Sequence, residues 1–106
     1  DGETREYTAE FTDVSGLRAG DDVRVAGVQV GKITGIEVDS ETGRTAKVTF
    51  TLVEDQPLLS NTTLVMRYQN LLGQRYIGMV QGAKRGAEIS DGATVPVTQT
   101  DPVPSR

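Results

Sequence analysis

A stretch in which glycines separate short runs of valine restricts the fold of this chain more than any other feature. It extends from Gly16 to Ile33 and reads GLRAGDDVRVAGVQVGKI. Apolar residues two positions apart, such as Val23 and Val25, share one face of a strand, whereas an amphipathic helix needs them three or four apart. The stretch therefore predicts two or three short strands joined by tight turns. The glycines assigned to structural turns, here and later in the chain, are Gly16, Gly20, Gly27, Gly31 and Gly73.

The remainder of the chain also favours strands. Only 5% of the 106 residues are aromatic and 12 are glycine, which is typical of many short strands with tight turns. The clearest alternation runs from Ala46 to Leu52, and a break in the phase of alternation at Gly35 predicts a β-bulge. About seven strands follow from the spacing of the turns, which indicates an all-β barrel or sandwich.

Composition argues against several classes of function. The chain contains neither cysteine nor histidine, which removes thiolate nucleophiles, imidazole bases and Cys/His metal sites. No aspartate cluster has the spacing of a calcium loop, and carboxylates such as Glu37 and Glu54 lack the apolar cleft of a glycosidase. A net charge of −4 with scattered basic residues argues against nucleic acid as a partner. We therefore predict no catalytic residue, metal or cofactor.

Leu71 and Leu72 lie where a connection between two strands is predicted, a place that polar residues and glycine usually occupy. Leaving two leucines in water forfeits about 1.5–3 kcal/mol of available burial each. Either they fold back into the core of the domain, or a partner subunit or an apolar ligand covers them. The pattern alone leaves both interpretations open.

Several segments of the chain, which occur in the same order as in the family, resemble the MCE (mammalian cell entry) domain of the MlaD-like lipid-transport proteins. The matching segments are Phe11, Ser15 to Leu17, Gly20-Asp21, Val23 to Ile33, Ile36, Val48 to Phe50, Asn70 to Ile77 and Asp91-Gly92. Within the family, the run YQNLLGQRY is most similar to the actinobacterial Mce proteins. The resemblance covers nearly the whole chain.

The resemblance implies a small seven-stranded β-barrel, six copies of which form a homomeric or mixed ring with other Mce subunits. Leu71 and Leu72 are then expected to line the central pore and form the path of a lipid, fatty acid or sterol cargo. The implied function is a non-enzymatic subunit of an ABC-type lipid or sterol importer, with an ABC permease and ATPase as partners. An N-terminal helix is expected to anchor such a protein to the inner membrane, in the periplasmic space of the cell envelope.

On this basis the chain divides into three parts. Residues 1–6 are an N-terminal flank that would follow the membrane anchor, and residues 7–98 form the barrel domain. Residues 99–106 contain Pro102 and Pro104 and are predicted to be a stiff linker toward a helical extension.

Two other functions remain as alternatives. A periplasmic adaptor of an efflux system also contains barrel modules with Gly-Asp-x-Val turns, but it would need a lipoyl-like half-motif and a coiled-coil hairpin. A soluble ligand-binding β-sandwich would need exposed aromatic residues in a cleft. Only Tyr7, Tyr68 and Tyr76 could provide them.

Overall fold

Eight β-strands make up most of the regular structure in the computed structural model, which describes residues 3–14, 16–39, 41, 45–68 and 74–101. A single-turn 3₁₀ helix at Val97–Gln99 separates the last two strands. The strands are β1 (Thr4–Phe11), β2 (Asp22–Val25), β3 (Val28–Val38), β4 (Ala46–Val53), β5 (Thr63–Tyr68), β6 (Arg75–Val80), β7 (Thr94–Val95) and β8 (Thr100–Asp101).

The strands form one curled sheet in the order β7-β1-β4-β3-β2-β6-β5-β8. The two-residue strands β7 and β8 pair in parallel with β1 and β5 at opposite ends of this order. The chain from Thr94 to Asp101 thus crosses the gap between β1 and β5, and the Thr100 hydroxyl donates to the carbonyl of Glu10 at 2.7 Å. This arrangement confirms the predicted all-β, barrel-like fold.

Side-chain alternation explains which face of the sheet is inside. In β4, the residues Ala46, Val48, Phe50 and Leu52 are all buried, while the side chains between them are exposed or half-buried. In β1 the ring of Tyr7 packs 5.8 Å from the ring of Phe50, centre to centre. Each such side chain contributes about 1.5–3 kcal/mol when it leaves water. The interior is therefore filled by the chain's own side chains.

The predicted bulge is confirmed in β3. Ile33 pairs with Phe50 and Gly35 with Thr49, so Thr34 has no partner of its own on β4. The extra residue shifts the alternation by one position, which returns Ile36 to the inner face beside Val48. The Thr34 hydroxyl instead donates to the carbonyl of Thr49 at 3.2 Å.

The glycines of the first stretch have different structural roles. Gly16, Gly20 and Gly27 have positive φ angles of 84°, 97° and 85°. Gly27 follows Ala26, whose φ is 51°, and the two residues form the tight hairpin turn between β2 and β3. Gly31, predicted to lie where the backbone turns or packs closely, is in a place of close packing and not in a turn. Gly31 lies inside β3, where a Cβ atom would stand 1.8 Å from the carbonyl oxygen of Thr51.

The two ends of the barrel extend beyond the residues predicted to form it. Strand β1 begins at Thr4, within the segment assigned above to the N-terminal flank. Strand β8 lies at Thr100–Asp101, within the segment assigned to the linker. Both differences arise because main-chain pairing with distant strands recruits polar residues that have no apolar alternation of their own.

Candidate functional site

The candidate site lies at the end of the barrel where β5 ends and β6 begins. Tyr68 and Arg75 form the last residue pair of this hairpin. The connection that follows Tyr68 carries Leu71, Leu72 and Gly73, all of which lie outside the described residues. Its two anchoring strands are described, so the end of the barrel from which it leaves is defined. We call this end, formed by Met66, Tyr68, Arg75 and Gly16, the barrel mouth.

Alternation along the two strands determines what faces the barrel mouth. On β5, Met66 is fully buried, and Tyr68, two residues further, is in the same phase and 50% exposed. On β6, Ile77 is fully buried and the half-buried Arg75 precedes it in the same phase. Tyr68 and Arg75 therefore continue the inner face of the sheet out to the rim.

Three contacts orient the Arg75 guanidinium at the barrel mouth. One terminal nitrogen donates to the sulfur of Met66 at 3.0 Å, and the other donates to the hydroxyl of Tyr68 at 2.7 Å. The guanidinium carbon lies 4.6 Å from the centre of the Tyr68 ring, within the range of a cation–π contact. Gly16 leaves room for the side chain, because a Cβ there would lie 3.1 Å from Nε of Arg75.

No carboxylate of the described residues neutralises Arg75. The described residues contain two ion pairs, Arg5–Glu88 at 3.2 Å and Arg24–Asp22 at 2.7 Å, and neither involves Arg75. A thioether and a phenol are both uncharged acceptors, so the partners of Arg75 among the described residues do not neutralise its charge. The barrel mouth is therefore a half-buried cationic site.

A second arginine–tyrosine contact lies on the outer face of the sheet and differs in its charge balance. The guanidinium carbon of Arg24 lies 4.9 Å from the ring centre of Tyr76. Asp22 accepts two hydrogen bonds from Arg24, at 3.1 and 2.7 Å. A shallow groove of about 510 Å³ adjoins this pair and includes Arg67 and Val80 in its lining. The charge of Arg24 is thus neutralised by Asp22 on the same strand.

The described residues offer little for other chemistry. They contain no group of three or more acidic, cysteine or histidine side chains placed to hold a metal ion. No helix among them is sufficiently long and apolar to cross a bilayer. Arg75 is the residue that sequence reasoning missed. Its position two residues before the apolar Ile77 could have indicated it, because residues two apart share one face of a strand.

The fold and the barrel mouth define a small β-barrel domain of a kind already seen in a solved structure. The chain matches a chain of the Acinetobacter MlaFEDB complex in an ATP-bound conformation with a TM-score of 0.82 and 18% identity. The match covers 99% of this chain and 77% of the other. At this identity the similarity shows a shared fold.

The family model described as MlaD protein matches residues 3–82, and the chain belongs to that family. The predicted MCE/MlaD family is thereby confirmed. The chain is 27% identical over 108 aligned positions to the intermembrane phospholipid transport system binding protein MlaD of Haemophilus influenzae. That alignment covers 92% of this chain and 64% of the relative, so the chain spans slightly less than two thirds of the relative's length.

Proposed function

We propose that this chain is a non-enzymatic, lipid-binding domain of an ABC-type transport system in the bacterial cell envelope. The observation that carries the proposal is the pair Leu71-Leu72 in the connection between β5 and β6, in a chain of the MlaD family. The H. influenzae relative is named as the binding protein of an intermembrane phospholipid transport system, which supports phospholipid as the cargo class. Fatty acids and sterols are the other cargoes that the apolar pair could accept.

The energetics of lipid transfer explain why leucines rather than catalytic groups would carry this function. Exposing a ~16-carbon acyl chain to water costs on the order of 12 kcal/mol at ~0.8 kcal/mol per methylene group. A carrier between membranes must therefore supply a continuous apolar surface. Met66 is fully buried, and Arg75 contacts its sulfur. The core of the described residues is therefore packed without the two leucines, which supports their proposed role in the lipid path.

The assembly belongs to the same proposal. Six copies, identical or mixed with related Mce subunits, would place six leucine pairs around one pore. An inner-membrane anchor would hold the ring beside an ABC permease and ATPase. The similar fold occurs in an Acinetobacter complex described as ATP-bound, which supports the ATPase as a partner. Membership of the actinobacterial Mce branch is a further part of the proposal, and it rests on the YQNLLGQRY run.

The decisive experiment changes Leu71 and Leu72 together to aspartate in the full-length protein within its transport complex. We expect lipid transfer between labelled donor and acceptor vesicles to fall at least about tenfold, because each buried leucine contributes about 1.5–3 kcal/mol to apolar contact. The melting temperature of the protein should change little, since the barrel core does not include the pair in this proposal.

Val28→Asp provides the matched control. Val28 lies on the β2–β3 hairpin and is 64% exposed, so this change also places an aspartate at an exposed apolar position. We expect normal transfer in this variant. If the leucine variant instead loses its folded state, the two leucines belong to the core and the proposed lipid path is wrong.

A further inference from the structure

A short basic loop follows β6 at the end of the barrel opposite the barrel mouth. It runs from Gly82 to Gly86 and contains Lys84 and Arg85, which are both exposed and form no ion pair among the described residues. We propose that this loop is a cleavage site for endopeptidases that cut after lysine or arginine, and that the side chain of Asn61 controls the rate of cleavage. The inference concerns a part of the chain that the proposed lipid transport does not use.

Asn61 bonds to the two peptide groups that such an enzyme would attack. Its side-chain nitrogen donates to the carbonyl oxygen of Lys84, which belongs to the Lys84–Arg85 peptide bond. Its side-chain oxygen accepts a hydrogen bond, at 3.1 Å, from the backbone N–H of Gly86, which belongs to the Arg85–Gly86 peptide bond. One carboxamide therefore holds both candidate scissile bonds of the loop.

The two glycines of the loop allow Asn61 to approach this closely. A Cβ atom at Gly82 would overlap the side-chain nitrogen of Asn61, and one at Gly86 would stand 2.5 Å from its side-chain oxygen. Ser60 holds the residue beyond the loop, because its hydroxyl accepts from the N–H of Ala87 at 3.1 Å. The loop is thus fixed against the segment that precedes β5.

These contacts oppose cleavage. A serine endopeptidase of this class binds the scissile carbonyl oxygen in its oxyanion hole and the basic side chain in an acidic pocket. The carbonyl of Lys84 cannot enter an oxyanion hole while it accepts a hydrogen bond from Asn61. The loop must therefore open first, and the cleavage rate follows the fraction of molecules in which it is open. Each hydrogen bond to Asn61 lowers that fraction.

The other basic residues of the described chain are poorer substrates. Most lie in strands, where main-chain pairing would have to break before cleavage: Arg5, Arg24, Lys32, Lys47, Arg67 and Arg75. Arg18 lies in a turn that its own N–H closes by donating to the Asp21 carboxylate at 2.8 Å. Lys84 and Arg85 lie instead in an exposed loop of small residues, where proteolytic cleavage concentrates.

A cut in this loop would leave the barrel assembled. Hydrolysis adds one water across the peptide bond, which gives a carboxylate on the N-terminal piece and an amine on the C-terminal piece. The C-terminal piece remains paired with β1 and β5 through β7 and β8, and the N–H of Ile89 donates to the carbonyl of Leu58 at 2.7 Å. Val95 of the same piece is fully buried in the core. The two pieces therefore stay associated.

The experiment treats the folded full-length protein with trypsin, dilute enough that the loop recloses faster than it is cut. Mass spectrometry of the new termini follows the cuts after Lys84 and after Arg85 separately. Asn61→Ala removes both hydrogen bonds, and Gly86→Ala places a Cβ that displaces the loop from Asn61. Ser60→Ala is the matched control, because the main-chain bond from the Ser60 N–H to the Ala87 carbonyl, at 2.7 Å, remains.

We expect both cuts to be at least about tenfold faster in Asn61→Ala than in the wild type, since two hydrogen bonds to the loop are lost. Gly86→Ala should also be cut faster, whereas Ser60→Ala should differ from the wild type by less than about threefold. Size-exclusion chromatography should show the two pieces of the cut protein eluting together. Thermal melts of the uncut variants should remain close to that of the wild type.

Three results would overturn the inference. The first is a folded Asn61→Ala variant that is cut no faster than the wild type at either bond. The second is the absence of any cut after Lys84 or Arg85 in every folded variant. The third is a cleavage rate that rises only as the melting temperature falls, which would assign the cut to unfolding of the whole barrel rather than to opening of the loop.

Discussion

Two arginine–tyrosine contacts, each with one residue on β6, have nearly the same distance between guanidinium and ring but differ in how the charge of the arginine is balanced. Arg75 lies over Tyr68 at 4.6 Å and Arg24 over Tyr76 at 4.9 Å. Asp22 accepts two hydrogen bonds from Arg24, whereas the polar partners of Arg75 are a phenol and a thioether. The charge of Arg24 is therefore neutralised by Asp22, whereas Arg75 has no ion pair among the described residues.

The difference follows from the position of each residue on the sheet. Arg24 lies on the outer face of β2, where Asp22, two residues earlier, points the same way and stabilises the strand. Arg75 is the first residue of β6 and continues its inner face, where its partners are Met66 and Tyr68 and no described acid forms an ion pair with it. Arg24 therefore stabilises its own strand, whereas the described partners of Arg75 leave its charge without a carboxylate.

The largest effect is expected when the glycine beside Arg75 is replaced. Gly16→Ala and Gly27→Ala each place a side chain at a positive φ, of 84° and 85°, which costs about 1–2 kcal/mol of stability. A Cβ at Gly27 meets nothing within 4 Å, whereas one at Gly16 approaches Arg75 Nε. Chemical denaturation should show a loss in both variants and a larger one for Gly16→Ala, because its Cβ also crowds the Arg75 side chain. Equal losses would show that Arg75 moves aside without cost.

A smaller effect separates the two arginines by stability. Arg24→Met removes two charge-assisted hydrogen bonds and leaves the carboxylate of Asp22 unpaired, which should cost about 1–2 kcal/mol. Arg75→Met keeps an apolar side chain over Met66; it forfeits the cation–π contact, worth about 0.5–1 kcal/mol, and a hydrogen bond to the Tyr68 hydroxyl that water can replace because Tyr68 is exposed. Urea denaturation measures both. Equal losses would contradict the difference in charge balance between the two contacts.

The smallest effect is expected when Arg24 loses its acid. Asp22→Asn leaves Arg24 without its ion-pair partner but keeps it on the outer face, away from the leucine connection. Lipid transfer between vesicles should change by less than about twofold, since the leucine pair of the proposed lipid path is unaltered. A loss as large as that of the double leucine variant would show that the outer face of β2 also takes part in transfer.

The parts of the fold that follow from local patterns could be predicted from the sequence. Alternation from Ala46 to Leu52 identified β4 and its inner face, and the phase break at Gly35 identified the bulge. The closure of the barrel could not be predicted in this way. Thr100 bonds to Glu10, a residue 90 positions away, and nothing in the polar sequence around Thr100 indicates that contact.

In the candidate site, too, some residues could be predicted from the sequence and others could not. Leu71 and Leu72 are conspicuous in the sequence because apolar pairs are unusual in strand connections. Arg75 is not, since the chain has eleven basic residues and each is ordinary by itself. What distinguishes it is that its described partners are the uncharged Met66 and Tyr68, and that depends on how β5, β6 and the Gly16 turn meet in the folded barrel.

Photo-crosslinking shows whether lipid contacts the β5–β6 end of the barrel. A phospholipid with a photoreactive group in its acyl chain is loaded into the full-length protein, irradiated and located by peptide mass spectrometry. We expect adducts in the peptide that contains Leu71 and Leu72, with few on the Arg24–Val28 segment. Adducts concentrated on Arg24–Val28, with none near the leucines, would contradict this expectation.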